Sequence, residues 1–286
     1  VFSGGESKAL LVFAGWKLRP VRQEGMTLEE WFEQRIKPKY DAFRIEQEYP
    51  ATIEEALKPS ATTAFFDIKA LDTMEGQMGK QINSLADFDT FNGLVRVYKL
   101  PVPGRRYVCF TDPSAGIEDP FVTVVIDAVT GEGVCTATGM IPAQQVARVH
   151  DTLCRAYNKA YHTGEVNAQA GGSFIDTVIA LDTPNMAPRH NHEGKLMLGK
   201  IGWQTNPPLR DKALHDLKEA VRTQAITPHD PEFIDQARHF IRDDVGKLRA
   251  MGHEHDDWIM AWAGAWQIKK YAPLSTYSVQ STMYRG

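Results

Sequence analysis

Four acidic residues occupy positions from which they could work together in one cleft. Asp112 closes the alternating apolar segment 106–111, Glu165 lies between a helical pattern and a Gly-Gly pair, and Asp256 and Asp257 begin the last helical pattern. Carboxylates at the ends of separate elements converge only through the fold, and they supply the oxygen ligands that Mg²⁺ and Mn²⁺ prefer. The four residues therefore predict a site for two divalent cations that hydrolyses a phosphodiester bond.

Each of these acids also has an ordinary structural explanation. An aspartate before a proline, as at Asp112, commonly forms a turn. Acids at a helix N-terminus, such as Asp256 and Asp257, complement the helix dipole. The functional interpretation of Glu165 and its companions rests on their combination and order, and the sequence leaves open which of Asp256 and Asp257 binds metal directly.

Other catalytic patterns are incomplete. Two His-x-His pairs, His190 with His192 and His253 with His255, could supply zinc ligands, but no HExxH motif or cysteine pair completes a site. No GxSxG segment supports a serine nucleophile. No GxxxxGK[ST] loop is present, so we expect no ATP site in this chain.

Composition is that of an ordinary globular protein, with 43% hydrophobic and 24% charged residues. No apolar run approaches the roughly 20 residues of a membrane span. Cys109, Cys135 and Cys154 form no CxxC pair, which favours reduced, buried structural thiols. The net charge of −4 argues mildly against a nucleic-acid-binding protein.

Positive charge is nevertheless concentrated locally. Residues 189–222 contain seven basic and four acidic residues, a net charge of +3. We expect this stretch to lie beside the acidic cleft and hold DNA phosphates through Arg189, Lys195, Lys200 and Arg210. The alternative is a solvated surface with ordinary basic residues.

The pattern of the chain changes near residue 104. Residues 1–60 are mostly helical in pattern, with Thr27 as N-cap and Glu30 in the capping-box position. Residues 61–103 are irregular and end in a short strand at 94–100, which indicates a connector. Residues 104–286 then form the predicted catalytic domain.

This last region has the element order of an RNase H-like α/β fold, in which helices flank a mixed sheet. Three strands form a predicted antiparallel meander, and a helix, a further strand and four more helices follow. The predicted strands are 106–111, Phe121–Asp127, 132–140 and a short segment at 165–167. The predicted helices are 144–161, 173–181 after a Gly171-Gly172 turn, 209–223, 231–250 and 256–269. A hairpin or loop is expected at 195–203.

Five motifs in this order resemble one known family. They are EYP-x-T-x-EEA at 48–56, the strand and turn at 107–116, YN…E-x-N…G from Tyr157 to Gly171, GW-x-T-N at 202–206, and HDD…A from His255 to Ala261. From about residue 10 to 268, the chain resembles the C-terminal part of the large terminase subunit of tailed bacteriophages.

The resemblance implies an endonuclease that cuts concatemeric viral double-stranded DNA during genome packaging in the cytoplasm of the infected host. It implies Asp112, Glu165 and the Asp256/Asp257 pair as catalytic ligands of Mg²⁺ or Mn²⁺. The small terminase subunit and the portal protein are the implied partners. The family's ATPase motor would precede residue 1, so residues 1–60 would be its trailing part and linker. The sequence leaves two alternatives. One is another RNase H-like nuclease, such as a junction resolvase, and the other is a non-catalytic DNA-binding or docking module.

Overall fold

A computed structural model describes residues 15–18, 25–40, 45, 49–52, 64–82, 91, 93–113, 119–243, 246–251 and 255–273. It divides the chain into two compact units, Val1–Ala64 and Phe65–Gly286. Parts of three predicted motifs, at 53–56, 114–116 and His253, lie outside the described residues.

The first unit contains a short helical segment with an aromatic cluster. Helix α1 (Leu28–Trp31) continues into a π-helical turn, Phe32–Ile36, and a 3-10 turn spans Trp16–Leu18. The Thr27 hydroxyl accepts a hydrogen bond from the Glu30 N–H, and the Glu30 carboxylate accepts one from the Thr27 N–H. The predicted capping box is therefore confirmed.

A five-stranded mixed sheet forms the centre of the second unit, with the spatial order β1-β4-β3-β2-β5. The strands are β1 (Val95–Val97), β2 (Tyr107–Asp112), β3 (Phe121–Asp127), β4 (Gly133–Gly139) and β5 (Tyr161–Gly164). Strands β2, β3 and β4 form the predicted antiparallel meander, and β5 pairs with β2 in parallel. The meander forms because its strands are rich in β-branched and aromatic residues.

Helices cover both faces of this sheet, which confirms the predicted RNase H-like α/β class. They are α2 (Ile68–Gly76), α3 (Ala143–Ala156), α4 (Ala168–Ala180), α5 (Pro207–Arg222), α6 (Pro231–Arg238) and α7 (Asp257–Lys269). The described residues of the unit also form two hairpins: β6 (Pro188–His190) with β7 (Leu196–Ile201), and β8 (Phe240–Arg242) with β9 (Leu248–Ala250). In the described parts of the chain, no helix is long and apolar enough to cross a membrane.

Strand β2 contributes to both hydrophobic cores because its side chains alternate between the two faces of the sheet. Val108 and Phe110 pack in the core that contains α5, α6 and α7. Cys109 packs in the core that contains α3 and α4. A Cβ atom added to Gly264 of α7 would lie 2.3 Å from the Phe110 ring. Helix α7 therefore approaches β2 closely enough to require glycine at this position.

Several predicted boundaries are wrong. The helix predicted at 144–161 ends at Ala156, because Asn158 and Lys159 both adopt a left-handed backbone with φ of 56°. The next strand is Tyr161–Gly164, so the predicted strand at 165–167 begins too late. The helix predicted to start at residue 173 starts at Ala168.

The helix predicted at 231–250 is also wrong, because it ends at Arg238 and the β8–β9 hairpin follows. Gly246, with φ of 83°, lies in the turn of that hairpin. The segment predicted as a hairpin or loop at 195–203 contains one strand of a hairpin, β7, whose partner β6 lies before the predicted range.

Part of the predicted connector 61–103 is built into the second unit. Strand β1 pairs with β4 at the sheet edge. Arg238 of α6 forms ion pairs with Asp72 and Glu75 of α2, at 2.7 and 2.6 Å. The functional division into a linker at 1–60, a connector at 61–103 and a nuclease domain at 104–286 stays a prediction.

Candidate active site

Asp112 and Glu165 lie at the carboxyl ends of two neighbouring parallel strands. Asp112 is the last residue of β2, and Glu165 directly follows β5. The Glu165 N–H donates a hydrogen bond to the Thr111 carbonyl at 3.0 Å, which extends the β2–β5 pairing to the point where both carboxylates leave the sheet. Parallel strands bring their carboxyl ends to the same sheet edge, and this brings together two acids that are far apart in sequence.

The backbone around Glu165 is fixed on its other side by Trp203. The Trp203 N–H donates to the Gly164 carbonyl at 2.7 Å, and the Val166 N–H donates to the Trp203 carbonyl at 2.8 Å. These bonds form a one-residue parallel bridge between Glu165 and Trp203. The GW motif thus has a structural role, because it supports the strand end that carries the second acid.

Two glycines allow other segments to approach Glu165 closely. A Cβ atom on Gly171 of α4 would lie 2.7 Å from the Glu165 carbonyl oxygen. One on Gly202, where φ is 74°, would lie 2.0 Å from the Val166 side chain. Gly171 is therefore a contact residue inside α4, and the predicted Gly171-Gly172 turn is wrong.

Asp256 and Asp257 lie at the N-terminus of α7 but have different surroundings. Asp256 accepts a hydrogen bond from the Arg210 guanidinium at 2.6 Å, and Arg210 also donates to the Leu248 carbonyl at 2.9 Å. One carboxylate oxygen of Asp257, Oδ2, is buried and has no hydrogen-bond partner among the described residues. Asp256 is thus paired within the protein, whereas Asp257 keeps an oxygen available to a ligand.

The acids influence one another electrostatically. Burial raises the pKa of Asp112 well above its usual range, and the charges of Glu165, Asp257 and Asp256 raise it further. Burial also raises the pKa of Glu165. The pKa of Asp257 is raised to about 6 by burial and by the charge of Asp256. Several carboxylates that disfavour one another's charge form a site that a cation would stabilise.

Sequence reasoning missed one acid at this edge. Asp119 lies just before β3, and its carboxylate is 2.8 Å from Nδ1 of His255. Its charge contributes to the raised pKa of Asp257. The antiparallel register places Val122 opposite Asp112, so the start of β3 lies beside the end of β2. That register is the signal that could have identified Asp119.

The four predicted acids do not all come together in one compact group of ligand atoms. Among the described residues, no three of them bring carboxylate oxygens within 4.8 Å of one another. A group that does meet this distance consists of Cys109, His150 and Cys154, on the opposite face of β2.

The predicted DNA contacts are in two kinds of environment. Lys195 and Lys200 are exposed on the β6–β7 hairpin, and Lys195 pairs with Glu193 at 3.1 Å. Arg189 donates to the carbonyls of Gly202 and Ile201 and thereby braces the hairpin base. Arg210, as described above, is bound to Asp256.

Comparison with known proteins finds similarity at the level of structure. No family model matches the sequence, and neither does any curated protein. The large terminase nuclease from thermophilic phage G20c matches with a TM-score of 0.52 and 18% identity, over 70% of this chain and 96% of that one. The same nuclease with bound cobalt matches with a TM-score of 0.56 and 19% identity, over 71% and 98%. With bound magnesium the values are 0.54 and 20%, over 71% and 98%.

At these identities the similarity shows a shared fold. Over about 70% of its length this chain has the fold of the G20c large terminase nuclease. This confirms, at the level of fold, the resemblance noted in the sequence.

Proposed function

We propose that this chain is a metal-dependent endonuclease that cuts concatemeric viral double-stranded DNA during genome packaging. The observation that carries the proposal is the convergence of Asp112, Glu165, Asp256 and Asp257 at one sheet edge, where a buried Asp257 oxygen has no partner among the described residues. A buried carboxylate oxygen without a partner is costly, and a bound cation would remove that cost.

The donor set fits Mg²⁺ or Mn²⁺. All four proposed ligands are carboxylates, which hard cations prefer over nitrogen or sulfur. We propose that they hold two ions that share ligands. The ions, when bound, supply an activated water and stabilise the leaving oxygen of the phosphodiester. The G20c nuclease, whose fold this chain shares, has structures with bound cobalt and magnesium.

The protein residues have distinct roles in this proposal. Asp112 and Glu165 hold their carboxylates on strand ends that backbone hydrogen bonds fix on both sides. Asp257 would provide a direct ligand, because its Oδ2 has no hydrogen-bond partner among the described residues. Asp256 lies beside it, and Arg210 offsets part of the repulsion between the two neighbouring acids.

DNA would approach over the β6–β7 hairpin, where Lys195 and Lys200 project into solvent and can meet phosphates. Arg189 and Arg210 would contact DNA only by exchanging some of their present hydrogen bonds. The portal protein and the small terminase subunit are the proposed partners, and the host cytoplasm is the proposed location.

A plasmid-cleavage assay tests the proposal. The purified chain should nick or linearise supercoiled DNA with Mg²⁺ or Mn²⁺, without ATP, and EDTA should abolish cleavage. Linear duplexes and four-way junctions, compared at equal concentration, separate a packaging nuclease from a junction resolvase. DNA binding without cleavage under any of these metal conditions would favour a docking module and contradict the proposal.

A further inference from the structure

A second group of metal-ligating side chains lies behind the acidic cleft. Cys109 belongs to β2, and His150 and Cys154 lie one turn apart on α3. All three are fully buried, and their ligand atoms lie within 4.8 Å of one another. We propose that Cys109, His150 and Cys154 form a binding site for a thiophilic divalent cation, with Zn²⁺ as the best fit.

The separation of the donor atoms agrees with a shared ion. Nδ1 of His150 lies 3.5 Å from Sγ of Cys109. Zn–S bonds of about 2.3 Å and Zn–N bonds of about 2.0–2.1 Å at a tetrahedral angle separate sulfur from nitrogen by about 3.6 Å. His150 and Cys154 are four residues apart on one helix, so both project from the same side of α3 towards β2.

The donor chemistry distinguishes this group from the acidic cleft. Thiolate and imidazole ligands select Zn²⁺ and similar cations, whereas carboxylates select Mg²⁺ and Mn²⁺. Cys109, His150 and Cys154 are also fully buried, which suits a structural zinc site, since a catalytic one keeps a position open to water or substrate. Magnesium ions in the cleft and zinc behind it would therefore not compete for ligands.

A hydrogen bond already orients the imidazole. Nε2 of His150 lies 2.9 Å from Nδ1 of His162 on β5, which leaves Nδ1 of His150 facing the thiols. Metal-binding histidines usually have such a partner on the second ring nitrogen. Oγ1 of Thr111 lies 2.7 Å from Nδ1 of His150 and 2.7 Å from Oγ1 of Thr123. It would supply an oxygen for the fourth position by giving up its hydrogen bond to the imidazole.

A cation held here would tie α3 to β2. Cys109 lies on the strand that ends at Asp112, and His162 lies on the strand that leads to Glu165. The site would hence stabilise the two strands that carry the first two acids, without touching DNA. This role is structural and independent of whether the cleft cuts DNA.

Cobalt(II) provides a test, because a Co²⁺–thiolate bond gives a near-ultraviolet charge-transfer band and a carboxylate site gives none. The reduced full chain should be refolded with Co²⁺, so that burial of the site does not block access. We expect a thiolate band with the intensity of one thiolate-bound Co²⁺ per chain, whatever Co²⁺ the cleft also binds, and Zn²⁺ should remove it.

Variants assign the ligands. Cys109→Ser and Cys154→Ser should each weaken or abolish the band. Cys135→Ser is the matched control, since Cys135 is equally buried in the same core, on β4, but outside the group. Asp112→Asn should retain the band even if it abolishes cleavage, so failure of this proposal can be told apart from failure of the proposed nuclease function.

Two results would overturn the proposal. One is a wild-type chain that refolds by circular dichroism but shows no thiolate band, which would leave the three residues as hydrogen-bonded core. The other is loss of the band in Cys135→Ser, which would mean that the ligand set is wrong. If Cys109→Ser and Cys154→Ser do not fold, the wild-type chain and Cys135→Ser still decide the question by these two criteria.

Discussion

The two faces of strand β2 carry groups of opposite character. At its carboxyl end, Asp112 belongs to a set of carboxylates at a partly exposed sheet edge. On the other face, Cys109 belongs to a thiol and imidazole group that is closed to solvent. A site that binds a polymer must be open to solvent, whereas a site that only stabilises the fold can be buried. Because side chains alternate between the two faces of a strand, β2 can contribute to both.

The largest expected effect is a loss of DNA cleavage on substitution of Asp112, at the acidic end of β2. Asp112→Asn keeps the shape of the side chain but removes the charge that would bind metal. Cleavage should fall by at least about 100-fold, the scale of losing about 3 kcal/mol of transition-state stabilisation. DNA binding should persist, because the variant loses a negative charge that faces phosphates.

Asp176→Asn, on the exposed surface of α4, is the matched control and should cleave like the wild type. Glu165→Gln and Asp257→Asn should resemble Asp112→Asn, and double variants should be non-additive because the ligands act as a unit. A wild-type cleavage rate for Asp112→Asn with ordinary metal dependence would refute the assigned active site.

A second prediction concerns metal-linked stability. Mg²⁺ at about 100 times its dissociation constant should stabilise the fold by about 2.7 kcal/mol. For a unit of this size that corresponds to a rise in melting temperature of about 5–10 °C. Differential scanning fluorimetry should show the shift for the wild type and for Cys154→Ser, and lose it for Asp257→Asn. Equal shifts in all three proteins would mean that Mg²⁺ binds elsewhere.

A third prediction concerns the contact between α7 and β2. Gly264→Ala places a methyl group 2.3 Å from the Phe110 ring, so the helix or the ring must move. Overpacking of this kind should cost about 1–3 kcal/mol of unfolding free energy, measured by chemical denaturation.

Gly172→Ala provides the comparison on the other face of the sheet. Gly172 lies inside α4 with nothing within 4 Å of its added Cβ, so alanine should stabilise the helix by up to about 1 kcal/mol. Destabilisation by Gly172→Ala equal to that by Gly264→Ala would contradict the close approach of α7 to β2.

The part of the fold that could be predicted from sequence is the part that local pattern determines. The apolar, β-branched strand Phe121–Asp127 and its neighbours predicted the meander, and Asp112 follows directly from the end of β2. Strand β5 was placed too late because His162 and Thr163 are polar, although both are buried. The partner of His162 is His150 on α3, and no local pattern reveals such a contact.

Two further features depended on tertiary contacts. The pair Gly171-Gly172 has the composition of a turn, but Gly171 lies inside α4. It is a glycine because a side chain there would collide with the backbone of Glu165. The cluster of Cys109, His150 and Cys154 was not predicted from the sequence, because Cys109 and Cys154 are widely separated and form no CxxC motif. Their proximity follows from the packing of α3 on β2.

The smallest expected effect concerns DNA affinity and belongs to neither face of β2. Lys195 and Lys200 lie on a hairpin whose chain continues from β7 to Trp203, the residue that bridges to Glu165. Lysines near the acidic edge can hold DNA phosphates there without reading base sequence. Lys195→Ala combined with Lys200→Ala should therefore weaken binding several-fold for every duplex tested, and leave the melting temperature nearly unchanged because both side chains are exposed.

The salt dependence makes this prediction specific. Each lost phosphate contact should reduce the slope of log affinity against log salt concentration by about 0.9, so the double variant should lose up to about 2. Lys69→Ala combined with Lys80→Ala removes the same charge from exposed positions on and just after α2, and should leave the slope close to that of the wild type. If both pairs lower affinity equally, the effect comes from net charge alone, and the hairpin lysines form an ordinary solvated surface.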